Sequence, residues 1–224
     1  PSRMSATRLP GKPLLKINNL SIISHVVNKA KNTGIGRVVV CTEDKSILKE
    51  VIKNGGEAVI TGNHHKSGTD RIYEGYKKLD IKNIDYVLNI QGDEPSIDEK
   101  DIINLNNMML ETNSDIGTLG VKIKDQKVFS DENIVKVKTE KELSGKNSSL
   151  ALSFQRKQKL EQNENIYHHI GIYCYKLNAL KNFVNLSQTK NEIKNRLEQL
   201  RALDNNIKIN VTLAKSSPIG VDTK

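Results

Sequence analysis

Arg37-Val-Val-Val-Cys-Thr42 is a short run of β-branched residues and a cysteine with no polar interruption before its final threonine. A run this uniform suits a strand buried on both faces of a parallel sheet, because a half-exposed strand would alternate apolar with polar. Upstream, Ser21 is placed to cap a helix over 21–33 whose Ile22, Ile23, Val26, Val27 and Ala30 form one stripe, closed by Gly34. Downstream, 45–54 repeats the helical spacing with Ile47, Leu48, Val51 and Ile52. Gly55-Gly56 stops it, and 57–60 reads as the next strand, with Glu43 and Asp44 at the tip of the first. Strand and helix in alternation predict an α/β fold with a mostly parallel sheet.

The pattern continues outward. Residues 61–71 make a polar strand-to-helix loop containing His64, His65, Ser67, Gly68 and Thr69, and the helix after it carries Ile72, Tyr76 and Leu79. Tyr86-Val-Leu-Asn-Ile90 is the next central strand and runs into Gln91-Gly-Asp-Glu-Pro95. A carboxylate leaving a buried strand, between a glycine and a proline, is aimed at whatever lies beyond the sheet edge. Asp98 then caps a helix with Ile102, Leu105 and Met109 inside. From about 115 the rhythm changes. Segments 116–121, 134–137, 149–154 and 171–175 read as strands joined by loops, so antiparallel members and a small second lobe are expected around 122–190. Residues 192–203 predict one amphipathic helix using Ile193, Leu197, Leu200 and Leu203, and 207–213 a final strand. The polar stretch 157–165 reads as a lid or loop.

The other end of the argument is Arg3-Met-Ser-Ala-Thr-Arg-Leu-Pro-Gly-Lys-Pro13, with three cations, two hydroxyls, one glycine and two prolines in eleven residues. Gly11 between Pro10 and Pro13 gives a stiff, open backbone, and Arg3, Arg8 and Lys12 would surround a ligand with positive charge. A polyphosphate is the natural occupant, against the plainer reading of a solvated basic loop. A strand should deliver such a loop and a helix should close the chain. Pro1 and the final Gly220-Val-Asp-Thr-Lys224 leave both to be expected outside the sequence given.

The chain has 224 residues, enough for one large domain with a sizeable core. Hydrophobic content of 36% with mean hydropathy −0.52 and no long apolar run argues against a membrane span, and the charged start resembles no secretory signal, so a cytoplasmic location is expected. Cys41 and Cys174 suit reduced buried thiols better than a disulfide or metal site. The net charge of +9 suits phosphates and acidic sugars, or lysines merely solvating helices. A nucleic-acid surface is disfavoured by three phenylalanines, no tryptophan and no recognition signature.

Mg²⁺ takes hard oxygen ligands, usually one or two carboxylates with phosphate and water. Asp93 and Asp222 each follow an apolar strand-like segment, so both can reach one edge of the sheet. There a metal could bridge a nucleotide phosphate and an attacking hydroxyl, with Arg3, Arg8 and Lys12 opposite, stabilising a departing pyrophosphate.

Seven segments in register resemble the 3-deoxy-manno-octulosonate (KDO) cytidylyltransferase family of lipopolysaccharide synthesis: Arg3–Pro13, His65–Arg71, Gln91–Pro95, Asn133–Lys136, His169–Tyr173, Leu197–Arg201 and Val221–Thr223. The resemblance implies a Rossmann-like, glycosyltransferase-A-like fold, a homodimer built through the second lobe, and transfer of CMP from CTP to KDO. It implies that Asp93 and Asp222 hold Mg²⁺, and that Arg3, Arg8 and Lys12 meet the triphosphate. Ser5, Ser67, Gly68 and Thr69 would contact CTP, with Ser67 and Gly68 near the cytosine. Gln91, His169, Tyr173, Glu198 and Gln199 would line the KDO pocket, with Arg71 and Arg156 near the sugar carboxylate or the phosphates. Cytidylyl transfer to another acidic sugar such as an N-acylneuraminate is the nearest alternative, and a noncatalytic nucleic-acid binder the alternative of another class. Two departures stand out. Cys-Thr-Glu-Asp at 41–44 replaces the family's Ala-Thr-Asp, so Glu43 is given no role, and Phe-Gln-Arg at 154–156 replaces Phe-Ser-Arg before an altered loop.

Overall fold

A computed structural model describes residues 1–4, 9–125, 127–145, 147–157, 165–215 and 217. In chain order the elements are β1 (Lys16–Ile17), β2 (Leu20–Ser21), α1 (Ile22–Asn32), β3 (Val40–Thr42), α2 (Lys45–Lys53), β4 (Ala58–Ile60), α3 (Gly68–Lys78), β5 (Tyr86–Asn89) and α4 (Glu99–Thr112). Then come β6 (Ile116–Lys122), α5 (Lys127–Ser130), β7 (Lys136–Thr139), β8 (Ser148–Gln155), β9 (Ile166–Lys176), α6 (Leu177–Asn185), α7 (Lys190–Asn195), α8 (Leu200–Asp204) and β10 (Ile209–Leu213).

The chain divides into two units. The first contains residues 1–84 and 89–103, the second 85–88 and 104–217. In the first, β3 pairs parallel with β4, Val40 opposite Ala58 and Thr42 opposite Ile60. Only the last half of the expected strand at 37–42 is in the ladder. Its core is the stripe read from the sequence: Ile23 and Val27 of α1, Val40 of β3, and Ile47 and Val51 of α2 are all buried together. Ser21 stands at the cap position of α1, but its hydroxyl donates to Ser24 Oγ at 2.7 Å instead of accepting from the backbone. The β1–β2 hairpin was not foreseen. Asn18 and Asn19 both take positive φ, 48° and 65°, the backbone that a two-residue hairpin turn demands.

The second unit holds a six-stranded sheet in the order β5-β9-β6-β10-β8-β7, with β9 also paired to β7. β10 runs parallel to β6, while β10–β8, β6–β9, β7–β8 and β7–β9 are antiparallel. This sheet is therefore mixed, not mostly parallel, because β7, β8 and β9 are joined by loops too short for the crossover helix that parallel neighbours need. Gly117 of β6 lies where α4 approaches: a Cβ there would stand 2.5 Å from Met109 Sδ and 3.0 Å from Leu105 Cδ1.

The single helix expected over 192–203 is a correction. Arg196 takes a left-handed conformation, φ 52°, and α7 ends there, with Leu197 N–H returning to Glu192 O at 3.2 Å. The chain turns through 196–199 before α8 begins. Glu192 causes the fold-back: its carboxylate completes a capping box with Thr189 and takes two hydrogen bonds from buried Arg201 at 2.9 and 2.6 Å. Ile193, assigned to the apolar stripe, is exposed as a result. Both cysteines are free and buried, and burial pushes the Cys41 thiol up and Cys174 to about 12. Among the described residues no helix is long and apolar enough to cross a membrane.

Candidate active site

In the first unit the basic loop comes off a turn set by Gly11, whose φ of 73° is the left-handed value that favours glycine. A short 3₁₀ turn over Lys12–Leu14 follows and buries Lys12 and Pro13. The Lys12 stem is thus sealed while its ammonium donates to Asp93 Oδ2 at 2.9 Å, a carboxylate that is itself half exposed. Lys12 was expected on the far side of a ligand from Asp93. The structure places cation and carboxylate in direct contact. Gly92, beside Asp93, has backbone where a side chain would go: a Cβ would lie 2.9 Å from Pro1 O and 3.0 Å from Ser2 Cβ. The sequence reason for Gly-Asp is this close approach. Arg3 is exposed, Gln91 half-buried, and Ser5, Arg8 and Asp222 lie outside the described residues.

The tip of β3 organises the rest of this unit. Asp44 Oδ2 accepts from Met4 N–H at 2.8 Å and so anchors the entry to the basic loop. Glu43 pairs with Arg71, and the Arg71 guanidinium also donates to Thr61 Oγ1 at 2.8 Å and Gly62 O at 3.0 Å. Arg71 was expected near the sugar acid or the phosphates. It is buried, and its protein partners tie α3 to the ends of β3 and β4. Glu43, given no role from the sequence, is its counter-ion. Ser67 caps α3, accepting from Asp70 N–H at 3.1 Å and donating to Asp70 Oδ2 at 2.9 Å. Thr69 is buried behind it and accepts from Asn89 Nδ2 at 3.3 Å.

In the second unit His169 and Tyr173 stand on β9, both buried, their rings 5.5 Å apart, with Phe154 of β8 edge-on to His169 at 5.0 Å. Burial, helped by the charge of His168, lowers His169 to about 3, so the imidazole is neutral. Its Nε2 lies 3.0 Å from Thr118 Oγ1, and that hydroxyl donates to Ile172 O at 2.7 Å. The same hydroxyl lies 3.2 Å from Ile170 O, so Thr118 ties the imidazole to the β9 backbone. Burial raises Tyr173 well above its ordinary value, with the neighbouring charges of Tyr175 and Glu198 adding to it. Glu198 therefore lies near Tyr173, and Gln199 next to it is buried. Both belong to the turn between α7 and α8, not to one face of a helix. Arg156, at the end of β8, holds that turn by its backbone: it donates to the carbonyls of Asn195 at 3.3 Å and Arg196 at 3.4 Å, and to Glu132 O at 3.2 Å.

Lys136 escaped the sequence reading of roles. It is buried, and its ammonium donates to the carbonyls of Asp131 at 2.8 Å, Ile134 at 2.7 Å and Arg156. Each N–H of the group has one carbonyl.

A cytidylyltransferase family profile matches residues 1–209. The 3-deoxy-manno-octulosonate cytidylyltransferase of Bartonella tribocorum is 41% identical over 225 aligned positions, covering 100% of this chain and 92% of that protein. The namesake in Brucella canis is 40% identical and covered to 89%. A solved structure of CMP:2-keto-3-deoxy-manno-octonic acid synthetase complexed with CTP superposes with a TM-score of 0.88 at 33% identity, covering 99% of this chain and 90% of that one. A cytidylyltransferase from Leptospira borgpetersenii shares the fold at 18% identity, TM-score 0.61.

Proposed function

Because the chain belongs to the 3-deoxy-manno-octulosonate cytidylyltransferase family, an α/β nucleotidyltransferase fold, we propose that it joins CMP from CTP to KDO for lipopolysaccharide synthesis. The anomeric hydroxyl of KDO attacks the α-phosphate in line, a new P–O bond forms as the α–β bridge breaks, and pyrophosphate departs. The observation that carries the reading is the Lys12–Asp93 contact, a buried-stem cation and a half-exposed carboxylate at the mouth of a glycine-turned basic loop.

Asp93 is fitted to a divalent cation by its chemistry and by what already lies against it, since a positive charge sits 2.9 Å from Oδ2. Mg²⁺, held by Asp93 with Asp222, would supply charge neutralisation at the phosphates and lower the barrier to attack. Lys12, Arg3 and Arg8 take the remaining triphosphate charge, with Lys12 swinging from Asp93 to a phosphate oxygen. Ser5, Ser67, Gly68 and Thr69 receive CTP, and Arg71 with Glu43 positions α3 beneath them. On the sugar side, His169 offers a neutral imidazole, Tyr173 a hydroxyl that stays protonated, and Glu198 and Gln199 further polar contacts. Arg156 positions the turn that carries the last two. A Rossmann-like nucleotide-binding core with an acceptor and dimerisation lobe around 122–190 belongs to the same reading. Leu152, an exposed apolar side chain on β8, supports a covered surface there. The family suggests a cytoplasmic homodimer.

Pyrophosphate release from CTP tests the reaction: it is expected only with KDO and Mg²⁺ both present, and chelation by EDTA should abolish it. Release with an N-acylneuraminate but not KDO would transfer the activity to that sugar, and no release with any sugar acid would end the proposal.

A further inference from the structure

The loop between β4 and α3 carries a cluster that the cytidylyl reaction does not use. Donor atoms of His64, His65 and Glu74 all lie within 4.8 Å of one another. The His65 Nε2 is hydrogen-bonded to Glu74 Oε2, and the two imidazoles lie 4.4 Å apart, centroid to centroid. His64 is exposed, yet its ring is folded back over Gly62: a Cβ at Gly62 would stand 2.5 Å from His64 Nδ1 and 3.4 Å from Glu74 Oε2. Only a residue without a side chain allows that position, so Gly62 brings the second imidazole to the same carboxylate oxygen. The other side of the carboxylate is already taken. Lys78 Nζ lies 2.7 Å from Oε1, and Gly62 N–H reaches both oxygens at 3.1 and 3.0 Å.

The geometry points to a transition-metal site formed by His64, His65 and Glu74 Oε2. Two imidazoles and one carboxylate suit Zn²⁺, Co²⁺ or Ni²⁺, whereas Mg²⁺ prefers an all-oxygen shell. A tetrahedral ion about 2.1 Å from each ligand needs donors about 3.4 Å apart, which small rotations of the two rings supply. The fourth position is left to water. Burial pushes the Glu74 carboxyl up, but the bonds from Lys78, Gly62 N–H and His65 outweigh it and hold it at about 2, so the ligand is an anion at any working pH. The ion would tie residues 64 and 65 to the second turn of α3 and fix the loop immediately before Ser67.

The site is independent of the reaction proposed above, and its test reads metal alone. Co²⁺ is titrated into the full chain carrying Asp93→Asn, so that cobalt at that carboxylate does not contribute. One equivalent should develop the intense visible absorption of a four-coordinate ion, bleached by Zn²⁺. In the same background His64→Gln, a change at an exposed ring, should weaken binding about tenfold or more. His25→Gln, at a histidine bonded to Ile17 O, should leave it unchanged. Weak absorption typical of the hydrated ion, or equal affinity in the His64→Gln and His25→Gln proteins, would overturn the assignment.

Discussion

Asp93 shows how much a single carboxylate is asked to do. On the roles proposed above, Asp93→Asn keeps the triphosphate cations and removes a metal ligand, so kcat should fall about a hundredfold or more with CTP still bound. Equilibrium binding of CTP alongside turnover separates the two effects, and near-normal turnover would remove Asp93 from the mechanism. His169 makes a different prediction. Its folded value of about 3 lies below the ordinary 6.5, so between those pH values the unfolded chain binds a proton that the folded chain refuses. Stability from this group is complete above about pH 6.5 and falls as pH drops, by at most about 1.4 kcal/mol per unit. Denaturant unfolding at pH 7 and pH 5 should show that loss in the native protein and a shallower one in His169→Gln. Legibility at this scale depended on reach. Asp93 could be read because strand, glycine and carboxylate are contiguous, whereas the partner of Glu43 is 28 residues away and no local pattern announces it.

Among the elements, those built on periodic apolar stripes were the readable ones: Ile102, Leu105 and Met109 of α4 are all fully buried, as their spacing requires. The α7–α8 break was not, because a buried ion pair between residues 192 and 201 and one left-handed residue outweigh a continuous helical period. That break changes the argument for Gln199: its place is set by the turn and by Arg156, so Gln199→Ala should raise KM for KDO more than KM for CTP. A lost hydrogen bond of this kind is worth about 1 kcal/mol, or more if a buried partner is stranded. Equal KM values for KDO in mutant and parent would make the turn a scaffold. The seating of α3 gives a cleaner test. A Cβ on Gly75 would lie 2.2 Å from Cys41 Sγ of β3, so Gly75→Ala should destabilise by about 1–3 kcal/mol of overpacking, partly offset by about 1 kcal/mol of helix propensity. Adding Cys41→Ala removes the obstructing sulfur, and thermal unfolding of the double mutant should recover most of the loss.

For the molecule as a whole, the α/β class was readable from alternation, but the mixed sheet of the second unit was not, since strand direction depends on connections whose path a pattern of apolar residues does not specify. The charge of +9 is spread over many lysines, and two of the described ones are buried, Lys12 against Asp93 and Lys136 among carbonyls. Lys136 offers no surface, and its three N–H groups are held by the carbonyls of residues 131, 134 and 156. Burial pushes its ammonium down, Arg156 adds to this, and Asp131 and Glu132 oppose it. An amine-acylating reagent should therefore label exposed lysines such as Lys122 within its ordinary reaction time and reach Lys136 only when β7 and the end of β8 come apart. Followed by mass spectrometry, acylation at this one position would act as a clock for opening of the second unit in the native protein, with no denaturant added. Early labelling of Lys136 alongside the exposed lysines would mean that the clasp opens freely on the timescale of the reagent.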